Sequence, residues 1–137
     1  MQTEETRALV QRYYEVLPKG SADAIAELLT EDCQWIPPAT AELDPVVGRE
    51  AVAEQFSGAL VRAMFDLSQP FKLDVHRMVV DGPTAVVQQR LSATAANGNR
   101  YENEYCWVYH CRDGKIAHME EYADTLLAAR VMGWSAN

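Results

Sequence analysis

Cysteine is scarce in this chain, and the three that occur, Cys33, Cys106 and Cys111, form neither a CxxC pair nor a mixed Cys/His ligand spacing. That excludes a disulfide framework and a structural zinc site, and it fits a reducing, cytoplasmic setting. Positive charge is also short: 12 Lys and Arg stand against 20 Asp and Glu, a formal net charge of −8. Phosphate-binding surfaces need clustered cations, so neither nucleic acid nor an anionic membrane is an expected partner. No apolar run approaches the ~20 residues that span a bilayer, and the start on Thr3-Glu4-Glu5-Thr6 has no basic segment followed by an apolar one. No two of the three histidines stand two or four apart beside a carboxylate, so no metal site is expected. Internal repeats, low-complexity tracts and interdomain linkers are missing as well. What is left is one soluble domain over residues 1–137, with 48 % hydrophobic residues to build a core.

Helical spacing dominates the first half. From Thr3, with Glu4 and Glu5 where the helix dipole favours acid, Leu9, Val10, Tyr13, Tyr14 and Leu17 recur on one stripe until Pro18-Lys19-Gly20 stops the helix. Ser21 suits the cap of a shorter helix with Ile25, Leu28 and Leu29 inward, followed by a brief strand at Cys33 to Ile36 ended by Pro37-Pro38. Residues 39 to 47 lack periodicity and read as a loop. A third helix from about Gly48 to Phe65 carries Val52, Phe56, Ala59, Leu60, Ala63 and Met64 on one face.

Beyond Pro70 the period changes to two. Phe71 to Val80, Ala85 to Ala95, Tyr101 to Cys111 and Ile116 to Ala123 read as four long strands joined at Asp81-Gly82-Pro83, Asn97-Gly98 and Asp113-Gly114, an antiparallel meander followed by a short helix from Thr125 to Met132. The expected architecture is α+β: three helices packed on a strongly bent antiparallel sheet, with a short C-terminal helix, enclosing a cone-shaped cavity.

Turn chemistry predicts the register. With Asp113-Gly114 as a two-residue turn, Val108 falls opposite Met119, Cys106 opposite Glu121 and Glu104 opposite Ala123. A two-residue Asn97-Gly98 turn sets Gln89 opposite Cys106, and the next hairpin sets His76 opposite Gln89. These residues then share the inner face. The opposite face would hold Tyr105, Trp107, Tyr109 and Tyr122, an aromatic stripe suited to a homodimer interface or to a partly exposed sheet surface.

Val10-Gln11-Arg12-Tyr13, the short second helix, the start Gly48-Arg49-Glu50-Ala51, and the ending Asp113-Gly114-Lys115-Ile116 with Glu121-Tyr122-Ala123-Asp124-Thr125 resemble the nuclear transport factor two-like superfamily. Within it the likeness is to the SnoaL-like polyketide cyclase and ketosteroid isomerase-like branch, and it covers nearly the whole chain. The resemblance implies an α+β cone that hosts isomerases, cyclases, epoxide hydrolases, dehydratases and non-catalytic proteins, so it leaves the reaction open. It implies that Tyr13 matches the helix-one tyrosine that donates to the oxyanion in ketosteroid isomerases. The isomerase's proton-abstracting aspartate corresponds to Pro37 and its protonated aspartate to Cys106, which argues against steroid isomerisation. The acidic base of SnoaL-like cyclases, a few residues before Asp-Thr on the last strand, corresponds to Glu121.

The expected function is cofactor-independent acid–base chemistry on a hydrophobic, cyclic small molecule, with a non-catalytic binding or dimerisation module as the alternative. Glu121 is the candidate proton carrier, its pKa raised by an apolar pocket; the competing role is a solvated or ion-paired carboxylate, with Arg77 a possible partner. Tyr13 is an oxyanion donor or a core aromatic, and His76 a proton shuttle or an outward-facing residue. Trp35, Phe56, Gln89, Glu104, Cys106 and Met119 complete the expected ligand-contacting set; the alternative is a core role for Trp35 and Phe56, a rim location for Glu104 and a small buried thiol for Cys106.

Overall fold

The computed structural model describes residues 1–41 and 43–134 of the chain; the side chains of Ala59 and Leu60 lie outside that description. Helix α1 (Thr3–Val16) buries Thr6, Val10, Tyr13 and Val16, the three- and four-residue spacing of one helical face. A 3-10 turn at Leu17–Lys19 ends on Gly20, whose φ of 68° supplies the left-handed residue that closes it. Ser21 caps α2 (Ala22–Ala26), its hydroxyl accepting from Ala24 N–H at 3.2 Å. Strand β1 (Leu29–Ile36) is longer than its apolar stretch suggests, because Glu31 and Asp32 lie on exposed backbone at its start. The aperiodic segment after it holds a 3-10 turn (Ala39–Ala41) and a two-residue strand, β2 (Val46–Val47).

The expected third helix is two, α3 (Arg49–Ser57) and α4 (Ala59–Met64), broken at Gly58. Strands β3 (Lys72–Asp81), β4 (Thr84–Thr94), β5 (Arg100–Arg112) and β6 (Lys115–Ala123) form the meander, and α5 (Thr125–Met132) follows. Asp124 caps α5 by accepting from Leu127 N–H at 3.0 Å. The sheet order is β2-β1-β6-β5-β4-β3, with β1 parallel to β6, so the sheet is mixed rather than wholly antiparallel. Helix α1 packs against β3, β4 and β6, and α3 against β1, which places the core between the helices and one sheet face.

Register is where expectation and structure part. Asp113 (φ 54°) and Gly114 (φ 75°) do form the two-residue turn, with Arg112 opposite Lys115. The register then slips between His110 and Cys111: Cys111 pairs with Ile116 but His110 with His118, leaving Ala117 as an extra residue. From there Tyr109 faces Met119, Trp107 faces Glu121 and Tyr105 faces Ala123. The Asn97-Gly98 turn is also one residue longer than expected. Ala95 N–H donates to Asn99 O at 2.8 Å across a three-residue loop, so Gln88, not Gln89, pairs with Cys106. A second bulge leaves His76 as the extra residue between the Val75–Gln89 and Arg77–Gln88 pairs. Each one-residue slip exchanges faces along a strand.

The β5 faces are therefore the reverse of those expected. Tyr101, Asn103, Tyr105, Trp107 and Tyr109 point into the core, with Trp107 7 % and Tyr109 1 % exposed, while Glu104, Cys106 and Val108 lie on the outer face. Of the expected outer aromatic stripe only Tyr122 stays outside, 56 % exposed. The apolar motive for a homodimer through that stripe is overturned, because its rings are already spent on the core.

Candidate functional site

The interior face of β1, β4, β5 and β6 gathers most of the sequence-predicted residues around one carboxyl. Strand β1 runs parallel to β6 with Trp35 level with Met119, so the Trp35 indole reaches forward to the next inward residue, and its Nε1 donates to Glu121 Oε1 at 3.0 Å. Burial pushes the Glu121 carboxyl up to about 7, against the opposing pull of that bond, which favours the charged form. Neither an inward arginine nor a second carboxylate contributes: Glu104 is on the outer face, where it pairs with Arg90 at 2.9 Å. The residue retains partial exposure.

Four tyrosine hydroxyls feel the charge of this carboxyl. Burial raises the hydroxyls of Tyr13, Tyr101, Tyr105 and Tyr109, and the Glu121 charge adds to the rise in each. Tyr13 is fully buried, edge-on to Tyr14 (5.5 Å between centroids) and Tyr109 (5.7 Å). Tyr14 and Tyr109 share a hydroxyl–hydroxyl bond of 2.7 Å, and Tyr101 and Tyr105 one of 2.6 Å. Asn103 Nδ2 donates to Tyr101 Oη at 2.9 Å and to the Asp124 carbonyl at 3.0 Å, tying the site to the start of α5.

An aromatic cluster packs on Trp35, the carboxyl's hydrogen-bond donor. Phe56 of α3 lies edge-on between Trp35 (5.0 Å) and Trp107 (5.6 Å), and Trp107 stacks on Tyr109 with planes 6° apart. Gln89 and Met119 are buried on the same face. Tyr13, Trp35, Phe56, Gln89, Met119 and Glu121 thus share the interior, as expected.

His76, Glu104 and Cys106 do not join them. They line a concavity of about 430 Å³ on the outer sheet face, together with Gln88 and Tyr122, and His76 Nε2 lies 3.2 Å from Glu104 Oε2. The bulge at His76 and the longer Asn97-Gly98 loop turned them outward. The correspondence of Cys106 with an interior acid falls with them, since the inward residues at that level of β5 are Tyr105 and Trp107. A second outer concavity, about 580 Å³, is lined by Asp32, Gln34, His110, His118 and Glu120. No cluster of metal-ligating side chains occurs among the described residues.

Tyr101, Asn103, Tyr105, Trp107 and Tyr109 are the interior β5 residues around the site that turn counting missed. The signal for them was the alternation within β5 itself: its odd positions are mostly aromatic, whereas Arg100, Glu102, Glu104 and Arg112 all fall on the even ones.

A family model described as SnoaL-like domain matches residues 10–119. No curated protein matches the sequence. Similar solved structures include an NTF2-like protein from Burkholderia xenovorans, 19 % identical over 96 % of this chain and 98 % of that one, with a TM-score of 0.78. A provisionally named ketosteroid isomerase from Kribbella flavida is 25 % identical over 88 % of this chain and 78 % of that one, TM-score 0.70. An LEH-like epoxide hydrolase from Mycobacterium tuberculosis is 17 % identical over 95 % and 90 %, TM-score 0.71.

Proposed function

The chain belongs to the SnoaL-like domain family, and from that premise we propose that it performs acid–base chemistry on a hydrophobic, cyclic small molecule held against Glu121. The observation that carries this reading is the Glu121 carboxyl, inward-facing, hydrogen-bonded to Trp35 and pushed up to about 7. A carboxyl balanced between its two forms near neutral pH can both take and return a proton. Tyr13 would bear on developing oxygen charge, and its burial keeps it a neutral donor. His76 has no part in this reading, because it is on the other side of the sheet.

A non-catalytic binding module is the second reading. It is favoured by the packing of Phe56 between two indoles, which fills space a ligand would need, and by both concavities lying on the outer face. A homodimer through that face belongs with either reading on a smaller apolar basis, exposed Val79 and Tyr122. No helix among the described residues is long and apolar enough to cross a membrane.

The deciding experiment is a screen of cyclic ketones, epoxides and hydroxylated rings for turnover or deuterium exchange by the native chain and by Glu121→Gln. Chemistry lost in the variant supports the acid–base reading. Equal rates in both proteins would leave the binding module.

A further inference from the structure

The two indoles that Phe56 touches come from β1 and β5, the strands on either side of β6, so a ring in contact with both bridges the inward side of the strand that carries Glu121. One of them, Trp35, is the donor to the Glu121 carboxyl. The concavities of about 580 and 430 Å³ both lie on the outer face, while on this face Phe56 occupies the space between the indoles.

The helix that carries Phe56 is held unevenly. Val52 and Ala53 of α3 are 0 % and 1 % exposed, whereas Gln55, Phe56 and Ser57 in its last turn are only half-buried. That turn stops at Gly58, to which α4 returns by a long bond, Arg62 N–H to Gly58 O at 3.3 Å. The Ser57 hydroxyl donates to Ala53 O at 2.8 Å, a back-bond that competes with the helix and bends it. A helix end with half-buried side chains and a glycine break is the part of α3 that opens at least cost. The closed arrangement is also imperfect. Trp107 Nε1 is buried without an acceptor among the described residues, and an unpaired buried donor is unfavourable. Phe56 packs on that same indole, so its withdrawal removes part of the cover that keeps the N–H dry.

We propose that Phe56 is a gate to the interior: the last turn of α3 swings at Gly58, the phenyl ring leaves the two indoles, and a flat apolar ring takes its place beside the Trp35–Glu121 bond. The exchange is nearly balanced, because the edge-on contacts that Phe56 gives up are of the kind the incoming ring makes. Affinity is then set by how often the gate stands open, since a ligand that binds a minor state is weakened by the population of that state. The gate rests on the interior being the functional site, as in the acid–base reading, but it requires no proton transfer.

Toluene, a ring without polar groups, is the probe, and NMR the measurement. Trp134→Phe, a change at a residue 49 % exposed, leaves two indole N–H resonances, those of Trp35 and Trp107. With Phe56 present, both are expected to move and saturate as toluene is added. The Phe56 ring resonances, identified by their absence from the variant below, should move with them as the ring leaves the ring currents of the indoles. In Phe56→Ala, or in Phe56→Leu if the alanine variant does not fold, saturation is expected at about tenfold less toluene, because no opening precedes binding. Indoles that respond in the variant alone would make Phe56 a fixed part of the core and overturn the proposal. Equal affinity with and without the phenyl ring overturns it too, since the ring would then not stand in the way. No response in either protein would mean that no room for a ring lies behind Phe56, which is equally fatal. Failure of the acid–base reading looks different: Glu121→Gln would leave turnover unchanged while toluene still displaced Phe56.

Discussion

Trp35 and Glu121, 86 positions apart in the chain, are joined by an indole N–H that donates to the carboxyl at 3.0 Å, and this one bond opposes the burial that raises the acid. Its removal has a definite sign. In Trp35→Phe the carboxylate loses a donor while the ring keeps much of the burial, so the Glu121 pKa should rise beyond about 7. Carbon-detected titration of the carboxyl checks this. A value falling toward the ordinary 4.5 would mean that the indole shields the acid from water more than it stabilises its charge.

The raised acid also tilts stability with pH. Glu121 titrates at 4.5 when unfolded and near 7 when folded, so its contribution is fully present below pH 4.5 and is lost as pH rises through 7. The size is on the order of 3 kcal/mol at most. Denaturant midpoints taken across that window should decline with pH in the native chain, and the Glu121-dependent part of the slope should vanish in Glu121→Gln, leaving that variant relatively more stable at pH 8.

Cysteine labelling reads the strand faces directly. Burial pushes Cys33 up to about 12 and Cys111 up to about 11, and both are enclosed, whereas Cys106 sits partly exposed in the outer concavity. Iodoacetamide at about pH 8 should therefore modify Cys106 first in the folded protein, as peptide mass spectrometry would show. Protection of all three cysteines would be the outcome expected if Cys106 faced inward.

Gly58 separates α3 from α4, and a Cβ added there would meet the Glu54 carbonyl oxygen at 2.9 Å. Backbone cannot yield as a side chain can. Gly58→Ala should lower stability by roughly 1–3 kcal/mol, seen as a lower thermal midpoint, despite the higher helix propensity of alanine. An unchanged or raised midpoint would mean that the break is an adjustable feature of the fold.

Local chemistry was enough for much of this protein. The stripe of Val10 and Tyr13, the stop at Gly20, the Ser21 cap, the four strands and the helix after Asp124 each depend on residues within a turn or two, and each is found where the sequence places it. The inward direction of Glu121, Gln89 and Trp35 was legible too, as was the likeness of the whole to the SnoaL-like family. What the sequence could not decide was which residues stand beside Glu121. That depended on one extra residue at Ala117, one at His76 and one in the loop ending at Gly98. A bulge leaves no signature in the Asp113-Gly114 turn next to it, yet a single inserted residue reverses every side chain beyond it. Tertiary packing settled the matter, because enclosing Tyr101, Trp107 and Tyr109 against the helices removes far more apolar surface from water than enclosing Glu102, Cys106 and His110 would.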